Sequence, residues 1–238
     1  MTASLSSWSS LRPTVAKSAG ISRRSEAHWI RYARIHLRGM FPYLPQRPGY
    51  NKRLRAALPL IKKAIRELAR DSDFWFDNHW IVDSTPVPCG MSRPMVQRSD
   101  LAGWAGYGYC EREVLAAMLQ VEAGVVAEHD GILLISDKGF ASKTFERHLA
   151  EQGIELLRPS RKREKARYGE AMLKKVRQLI ESVNDTLRGQ LDLEEHGGHT
   201  FAGVAVRVAQ RLLAMAAAIW HNNKTGAPVT RSLIAYDH

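Results

Sequence analysis

Two short apolar runs in this chain each stop at an aspartate, and this repeated pattern constrains the fold more than any other feature. Residues 80–82 run into Asp83 and then Ser-Thr-Pro, and residues 132–135 run into Ser-Asp137. Asp, Ser and Pro form turns and do not continue a central strand, so each run predicts a strand that ends on a carboxylate. Ligands collect at the carboxyl ends of the strands in an α/β sheet, which places both aspartates where they can share one cation.

An aspartate after a strand also has a plainer role as a turn former or helix N-cap, and either residue alone is more often that. A third carboxylate favours the metal site. Apolar residues in segment 172–191 follow the spacing of an amphipathic helix, with Glu181 beside the stripe. Arg177 lies one turn before Glu181 and Arg188 two turns after it, so the three share a helix face.

The balance of charge points to a polyanionic partner. The chain has 238 residues, 35 of them basic and 24 acidic, and a net charge of +11. Nucleic acid is the first candidate and an anionic membrane the second, while a merely soluble basic protein remains an alternative. Cys89 and Cys110 form no CxxC pair, which predicts reduced thiols in a cytoplasmic protein.

The C-terminal third contains an apolar helix but no predicted membrane segment. Residues 204–220 are interrupted by Arg207, Gln210 and Arg211, short of the roughly 18 uninterrupted apolar residues of a span. We expect residues 201–220 to form a closing helix packed on the sheet. The two histidines of the His-Gly-Gly-His199 stretch are separated by flexible glycines, which favours a loop over a zinc site. The N-terminus has no apolar core of a signal peptide.

The N-terminal region is predicted to be helical and basic. Residues 1–25 are expected to be loosely ordered, residues 26–40 and 51–71 to form two helices, and the proline-rich segment 41–50 to be irregular. Such a helix pair suits sequence-independent contacts with phosphates. A solvated helix face is an equally good interpretation of the same charges.

Several separated motifs occur in a recognisable order. They are Asp83-Ser84-Thr85-Pro86, Tyr107-Gly108-Tyr109-Cys110, Asp137-Lys138-Gly139-Phe140, and Arg177-Gln178-Leu179-Ile180-Glu181-Ser182 through His196-Gly197-Gly198-His199-Thr200. In order and local context they resemble bacterial insertion-sequence transposases of the DDE type, over about residues 51–223. In related transposases a tyrosine, an arginine and a basic residue surround the Glu. Arg177 and Arg188 fit the last two positions, and Lys174 departs from the tyrosine.

The resemblance implies a fold and a catalytic set. The expected fold is an α/β ribonuclease-H-like sheet flanked by helices in residues 76–221, after a basic DNA-binding helical region in residues 1–75 and before a flexible tail in residues 222–238. Asp83, Asp137 and Glu181 are then the catalytic and metal-binding triad. The expected metal is Mg²⁺, with Mn²⁺ as a substitute.

The resemblance also implies a reaction and a partner. A DNA transposase cuts and rejoins phosphodiester bonds at the ends of its element, with two metals about 4 Å apart that activate the attacking oxygen and stabilise the leaving one. The partner is double-stranded DNA at element ends and target, with a homodimer on DNA as one arrangement, in the nucleoid of a bacterial cytoplasm. Arg177 and Arg188 are the expected phosphate contacts near Glu181. The basic run at residues 161–167, which includes Arg161, Lys162 and Arg163, predicts a further phosphate contact, although such runs are usually just solvated.

One departure from that family pattern stands out. A ribonuclease-H-like fold continues from its first strand into an antiparallel hairpin of strands two and three, but here Cys110 is followed directly by a helix-forming segment at residues 111–119. We expect that hairpin to be missing. Two alternatives follow: a degenerate remnant that binds DNA without cutting it, and a metal nuclease without specificity for element ends.

Overall fold

The computed structural model describes residues 26–41, 43–89, 93–104 and 111–229. The loose start predicted for residues 1–25, the Tyr107–Cys110 motif and the last residues from 230 onward lie outside the described residues. The side chains of Glu26, Arg93, Lys174 and Arg177 also lie outside that description.

The centre of the chain is a parallel sheet of three strands in the order β1, β2, β3. These strands are β1 (His79–Ile81), β2 (Ile132–Ile135) and β3 (Ile154–Leu157). Helices flank the sheet, so the predicted α/β class is confirmed. Between Asp83 and Glu111 the described residues contain a short helix α4 (Arg93–Gln97) and no strand. The described interval therefore agrees with the expected loss of a hairpin, and β1 is an edge strand.

Three helices cover the sheet: α5 (Glu111–Val121), α6 (Ala123–Ala127) and α7 (Lys143–Glu151). The β2 strand is apolar throughout because side chains on both of its faces are covered. Residues of the sheet, of α5 and of α7 share one buried cluster, whose members are Leu115, Leu119, Ile132, Leu134, Phe140, Phe145, Leu149, Ile154 and Leu156. This cluster holds the strand ends in place.

The helix α7 begins and ends at local sequence signals. The Ser142 hydroxyl accepts a hydrogen bond from the backbone N–H of Phe145, which caps the first turn. After the helix, Gly153 takes a φ of +75°, which a residue without a Cβ adopts at little cost. The strand β3 follows directly.

The N-terminal helices differ from prediction at their prolines. They are α1 (Glu26–His36), α2 (Arg47–Ala56) and α3 (Leu58–Arg70). The single helix predicted for residues 51–71 is wrong, because Ala57 interrupts it and separates α2 from α3. Pro59 lies in the first turn of α3, and Pro48 lies in the first turn of α2, inside a segment predicted to be irregular. Proline lacks an N–H that the first turn does not need, so it starts a helix but cannot continue one.

The last two helices are α8 (Leu173–Asp185), followed by a π-helical turn (Thr186–Gln190), and α9 (Phe201–Thr225). The expectation that α9 packs on the sheet is wrong. One cluster joins α9 to α3 through Ile61, Val206 and Ala209, and a second joins Met215 of α9 to Leu187. Among the described residues α9 is long and apolar enough to cross a membrane, a test that a core helix of a soluble protein also passes.

Candidate active site

The two strand-end aspartates lie opposite each other at one edge of the sheet. The strands β1 and β2 are parallel, with His79 opposite Leu133 and Ile81 opposite Ile135. The pairing continues past β1, because the backbone N–H of Val82 donates to the carbonyl of Ile135 at 2.8 Å. Carried two residues further, the same register places Asp83 opposite Asp137, at about the 4.8 Å spacing of neighbouring strands.

The carboxylate of Asp83 is exposed, and two hydrogen bonds fix it. Its Oδ1 accepts from the backbone N–H of Ser84 at 2.9 Å, and its Oδ2 accepts from Nδ2 of Asn184 at 3.0 Å. The second bond joins β1 to α8 across 101 positions of sequence. Sequence reasoning did not single out Asn184. Its spacing, three residues after Glu181 and so on the same face of α8, was the available signal.

Glu181 lies on the helix that contacts Asp83, one turn before the residue that makes the contact. Its side chain is exposed. Within the described residues, no three His, Cys, Asp or Glu side chains lie close enough together to hold a metal ion. Asp83 and Asp137 thus follow the carboxyl ends of neighbouring strands and α8 contacts Asp83, while the three carboxylates are not gathered around one point.

Asp137, a candidate metal ligand, also caps a turn. Its Oδ1 accepts from the backbone N–H of Gly139 at 2.8 Å and caps a short 3-10 turn at Lys138–Phe140. A Cβ added to Gly139 would lie 2.5 Å from Oε2 of Glu111 and 3.0 Å from Oδ1 of Asp137. A side chain at this position would therefore displace the carboxylate of Glu111, because two carboxylates flank the Cα of Gly139.

Glu111 is a second residue that sequence reasoning missed. It opens α5, and its carboxylate accepts a hydrogen bond from the Ser84 hydroxyl, next to Asp83. One acidic side chain thus contacts the turn after β1 and the turn after β2. The neighbouring Arg112 donates to the carbonyls of Gly139 at 3.0 Å and Ala141 at 3.3 Å, which offsets part of the local negative charge.

The predicted phosphate contacts fall into two groups. Arg188 donates to the Thr85 hydroxyl through Nη2 at 2.7 Å and Nε at 3.2 Å. Thr85 follows Asp83 by two positions, so this bond holds Arg188 near that aspartate. Arg161 donates to the carbonyl of Ala141, just after the turn that carries Asp137. Lys162 and Arg163 are exposed beside it. The Arg177 side chain lies outside the described part of the chain.

The predicted loop at residues 196–199 fastens the segment after Asp83. His196 is 4% exposed, its Nδ1 accepts from the N–H of Gly198 at 2.9 Å, and its Nε2 lies 2.6 Å from the carbonyl of Pro88. Since Nδ1 accepts, Nε2 must carry the proton and donate to Pro88, which fixes the neutral tautomer. Both ring nitrogens are used, so this histidine has no lone pair for zinc.

This arrangement predicts that stability falls in mild acid. Burial lowers the pKa of His196 below its usual 6.5, because the buried site disfavours the imidazolium. The stabilisation is therefore complete above pH 6.5 and is lost as the pH falls through the lowered pKa. Urea unfolding at pH 7.5 and 5.5 should show a larger loss for the wild type than for His196→Gln. The control His199→Gln changes an exposed histidine of the same loop and should keep the wild-type pH dependence.

Comparison with known protein families gives a match within this chain. Residues 119–201 match the family model described as a transposase DDE domain. The matched segment contains Asp137, Glu181 and the basic residues from Arg161 onward, and begins after Asp83. No curated protein and no solved structure gives a significant match.

Proposed function

We propose, from the premise that residues 119–201 belong to a DDE-type transposase, that this chain is a DNA transposase. On this proposal it cuts and rejoins phosphodiester bonds at the ends of an insertion sequence, in the bacterial cytoplasm, on double-stranded DNA. The domain that does so is ribonuclease-H-like in residues 76–221, after a DNA-binding helical region in residues 1–75.

One observation carries the proposal: the register that sets Asp83 opposite Asp137 at the carboxyl ends of β1 and β2. That edge is where a parallel sheet binds its ligands. The hydrogen bond from Asn184 to Asp83 also joins the helix that carries Glu181 to this edge of the sheet. The net charge of +11 supports a polyanionic substrate.

The donor set fits a hard divalent cation. Carboxylate oxygens are the usual ligands of Mg²⁺, which keeps positions for water and phosphate oxygens. On the proposal Asp83, Asp137 and Glu181 would hold it, and a divalent ion bound there would supply Lewis-acid chemistry to the phosphate and to the attacking water or 3′-hydroxyl. Asn184 and the Gly139 N–H orient two of the three ligands, as partners outside the coordination sphere do in metal sites.

Basic residues around the site would hold the scissile strand. Arg188, fixed on Thr85, and Arg161, fixed on Ala141, stand beside the two aspartate turns. Lys162 and Arg163 extend the positive charge into solvent. Contacts of this kind fix the register of the backbone and carry no sequence information.

The test is metal-dependent nicking. Purified chain is incubated with supercoiled plasmid in Mg²⁺, Mn²⁺ or EDTA, and with linear DNA that carries the repeats flanking its gene. We expect nicks with either metal, none with EDTA, and a preference for the flanking repeats. Equal cutting of arbitrary DNA would favour a general metal nuclease.

A second candidate, a remnant that binds DNA without cutting, has an observation in its favour. No three acidic or metal-ligating side chains of the described residues are gathered, and the described part of the interval from Asp83 to Glu111 contains no strand. DNA binding without nicking in any metal would establish this remnant and refute the transposase.

The Asn184 contact gives a graded prediction. Asn184→Ala removes the donor that orients Asp83, and loss of such an outer partner typically costs about 10- to 100-fold in metal affinity or activity. We expect the Mg²⁺ concentration for half-maximal nicking to rise by that factor, with DNA binding in EDTA unchanged. Gln178→Ala removes an exposed amide from the same helix and should leave the Mg²⁺ dependence unchanged. An equal Mg²⁺ requirement in both variants would contradict the role of Asn184.

A further inference from the structure

A cavity of about 240 Å³ lies between the helix α2 and the start of α9. The residues that line it include none of the candidate catalytic carboxylates. They are Arg47, Asn51, Leu54, Arg55, Gly197, Gly198, His199, Thr200, Gly203, Val206 and Arg207. The predicted sequence motifs gave no reason to join the start of α2 to the loop at residues 196–199.

The charges around this cavity all have one sign. Arg47, Arg55 and Arg207 contribute three guanidinium groups, His199 adds an imidazole, and no described lining residue is Asp or Glu. Like charges brought together repel unless a counter-charge joins them. Guanidinium groups match phosphate oxygens through paired N–H donors, so the cavity suits a phosphate.

The loop that forms one wall is built by close backbone packing. A Cβ added to Gly198 would lie 2.7 Å from the backbone N of Val204, so only glycine lets the loop approach the first turn of α9. The Thr200 hydroxyl accepts from the N–H of Gly203 at 3.1 Å and caps that turn. Arg207 donates to the carbonyl of His196 at 3.0 Å, which orients its guanidinium from the opposite side of the loop.

The cavity also contains a polar atom that the protein does not satisfy. Oδ1 of Asn51 is buried and has no hydrogen-bond donor among the described residues. Buried acceptors in folded proteins are normally paired with protein or water. A bound phosphate would supply the anion that the arginines lining the cavity lack among the other lining residues.

We propose that this cavity binds a phosphate group of the DNA backbone, at a place separate from the cutting site. The proposal rests on DNA being the partner of this chain, and it names one of the positions where the duplex is held. The site joins the N-terminal helical region to the loop that fastens the segment after Asp83, through His196 and Pro88. DNA held here would thus be positioned relative to the aspartates.

The test compares two double variants that each remove two positive charges. Arg47→Gln with Arg55→Gln changes the cavity, and Lys143→Gln with Arg147→Gln changes exposed residues of α7 that do not line it and lie outside the N-terminal helical region. Binding of a fluorescent duplex of about 25 base pairs is measured by anisotropy in EDTA, between about 50 and 200 mM NaCl. Thermal melts establish that both variants fold.

The cavity variant should bind DNA about tenfold more weakly than the wild type, the cost of losing charge-assisted hydrogen bonds. Its slope of log affinity against log salt should fall by about 1, one phosphate contact. The control should stay within about threefold, because it lowers the net charge by the same amount without changing the cavity. Equal losses in the two variants would overturn the proposal, because they would show only the effect of net charge.

A second arm separates DNA from a free anion. Inorganic phosphate is added at an ionic strength matched with NaCl, and competition with the duplex is followed for the wild type and the cavity variant. Competition that is present only in the wild type supports a phosphate site used by DNA. The proposal is overturned if inorganic phosphate no longer stabilises the cavity variant in thermal melts and this variant still binds DNA as tightly as the control does. Because this assay contains no metal, a chain that never nicks DNA refutes the transposase and leaves this result intact.

Discussion

Asparagine in place of Asp137 should abolish metal-dependent nicking while leaving DNA binding in EDTA unchanged. The carboxylate lies at the carboxyl end of β2, opposite Asp83, where it supplies a proposed metal ligand. The amide keeps the shape and can still accept the hydrogen bond from Gly139, so the turn is preserved. Losing a ligand should cost more than the roughly 100-fold that follows the loss of an outer partner. Plasmid nicking in Mg²⁺ measures the loss.

The matched control is Asp130→Asn. Asp130 is exposed at the opposite end of the same strand, and its one described hydrogen bond is made by its backbone carbonyl, which accepts from Asn78. The variant makes the same change in charge and should nick DNA at the wild-type rate. If Asp137→Asn nicks as fast as Asp130→Asn, Asp137 is only the cap of its turn and the proposed site is wrong.

The strands and their aspartates could be predicted because each signal is local. An apolar run and the turn formers after it occupy a few consecutive residues, and Phe140, 1% exposed, anchors the turn after Asp137 in the core. Their register was less certain, because a slip of one residue turns every side chain to the other face. Both strands end where an apolar run meets turn formers and an aspartate. The simplest alignment therefore sets these two ends side by side, and β1 and β2 pair in this way.

The contacts that complete the site could not be predicted, because they join distant parts of the chain. Asn184 reaches Asp83 across 101 positions and His196 reaches Pro88 across 108. The sequence on either side of Asn184 or of His196 does not indicate which residue it contacts. The sequence predicted that α9 packs on the sheet, but a helical stripe does not indicate whether a sheet or a helix covers it. Here α3 covers it.

Residues 161–167 form a basic segment after β3. Its charge was evident from the sequence, but the contacts that hold it in place were not. Arg158 is 2% exposed and donates to Glu146 at 2.8 Å and to Glu164 at 2.7 Å. Arg167 donates to the other oxygen of Glu146 at 2.7 Å. This network ties both ends of the basic segment to α7. Arg161, between them, is thereby held against the carbonyl of Ala141 near the candidate site.

The same network has a predictable response to acid. Hydrogen bonds from Arg158 and from the backbone of Arg161 lower the pKa of Glu164 from 4.5 to about 2. Burial acts to raise the pKa of Glu146, but its bonds to Arg167 and Arg158 outweigh it and lower the value. Both carboxylates therefore stabilise the fold above pH 4.5, and this contribution is lost as the pH falls toward 2.

Arg158→Ala should be among the most destabilising single substitutions in this chain. Removing one member of a buried ion pair leaves the other charge without its partner and costs about 3 to 5 kcal/mol. The side chains of Glu146 and Glu164 are 23% and 36% exposed, so water can solvate them in part and the lower end of that range is expected. The free energy of unfolding, from urea denaturation at pH 7, measures the loss.

Arg147→Ala provides the comparison, since Arg147 is an exposed arginine on the same helix as Glu146. A surface change of this kind should alter the free energy of unfolding by no more than about 0.5 kcal/mol. At pH 3 the difference between wild type and Arg158→Ala should shrink, because Glu164 loses the bond that lowers its pKa, returns toward its usual 4.5 and is protonated there. A loss that is equal in the two variants, or that does not depend on pH, would mean that the Arg158 network is not what fastens the basic segment to the sheet.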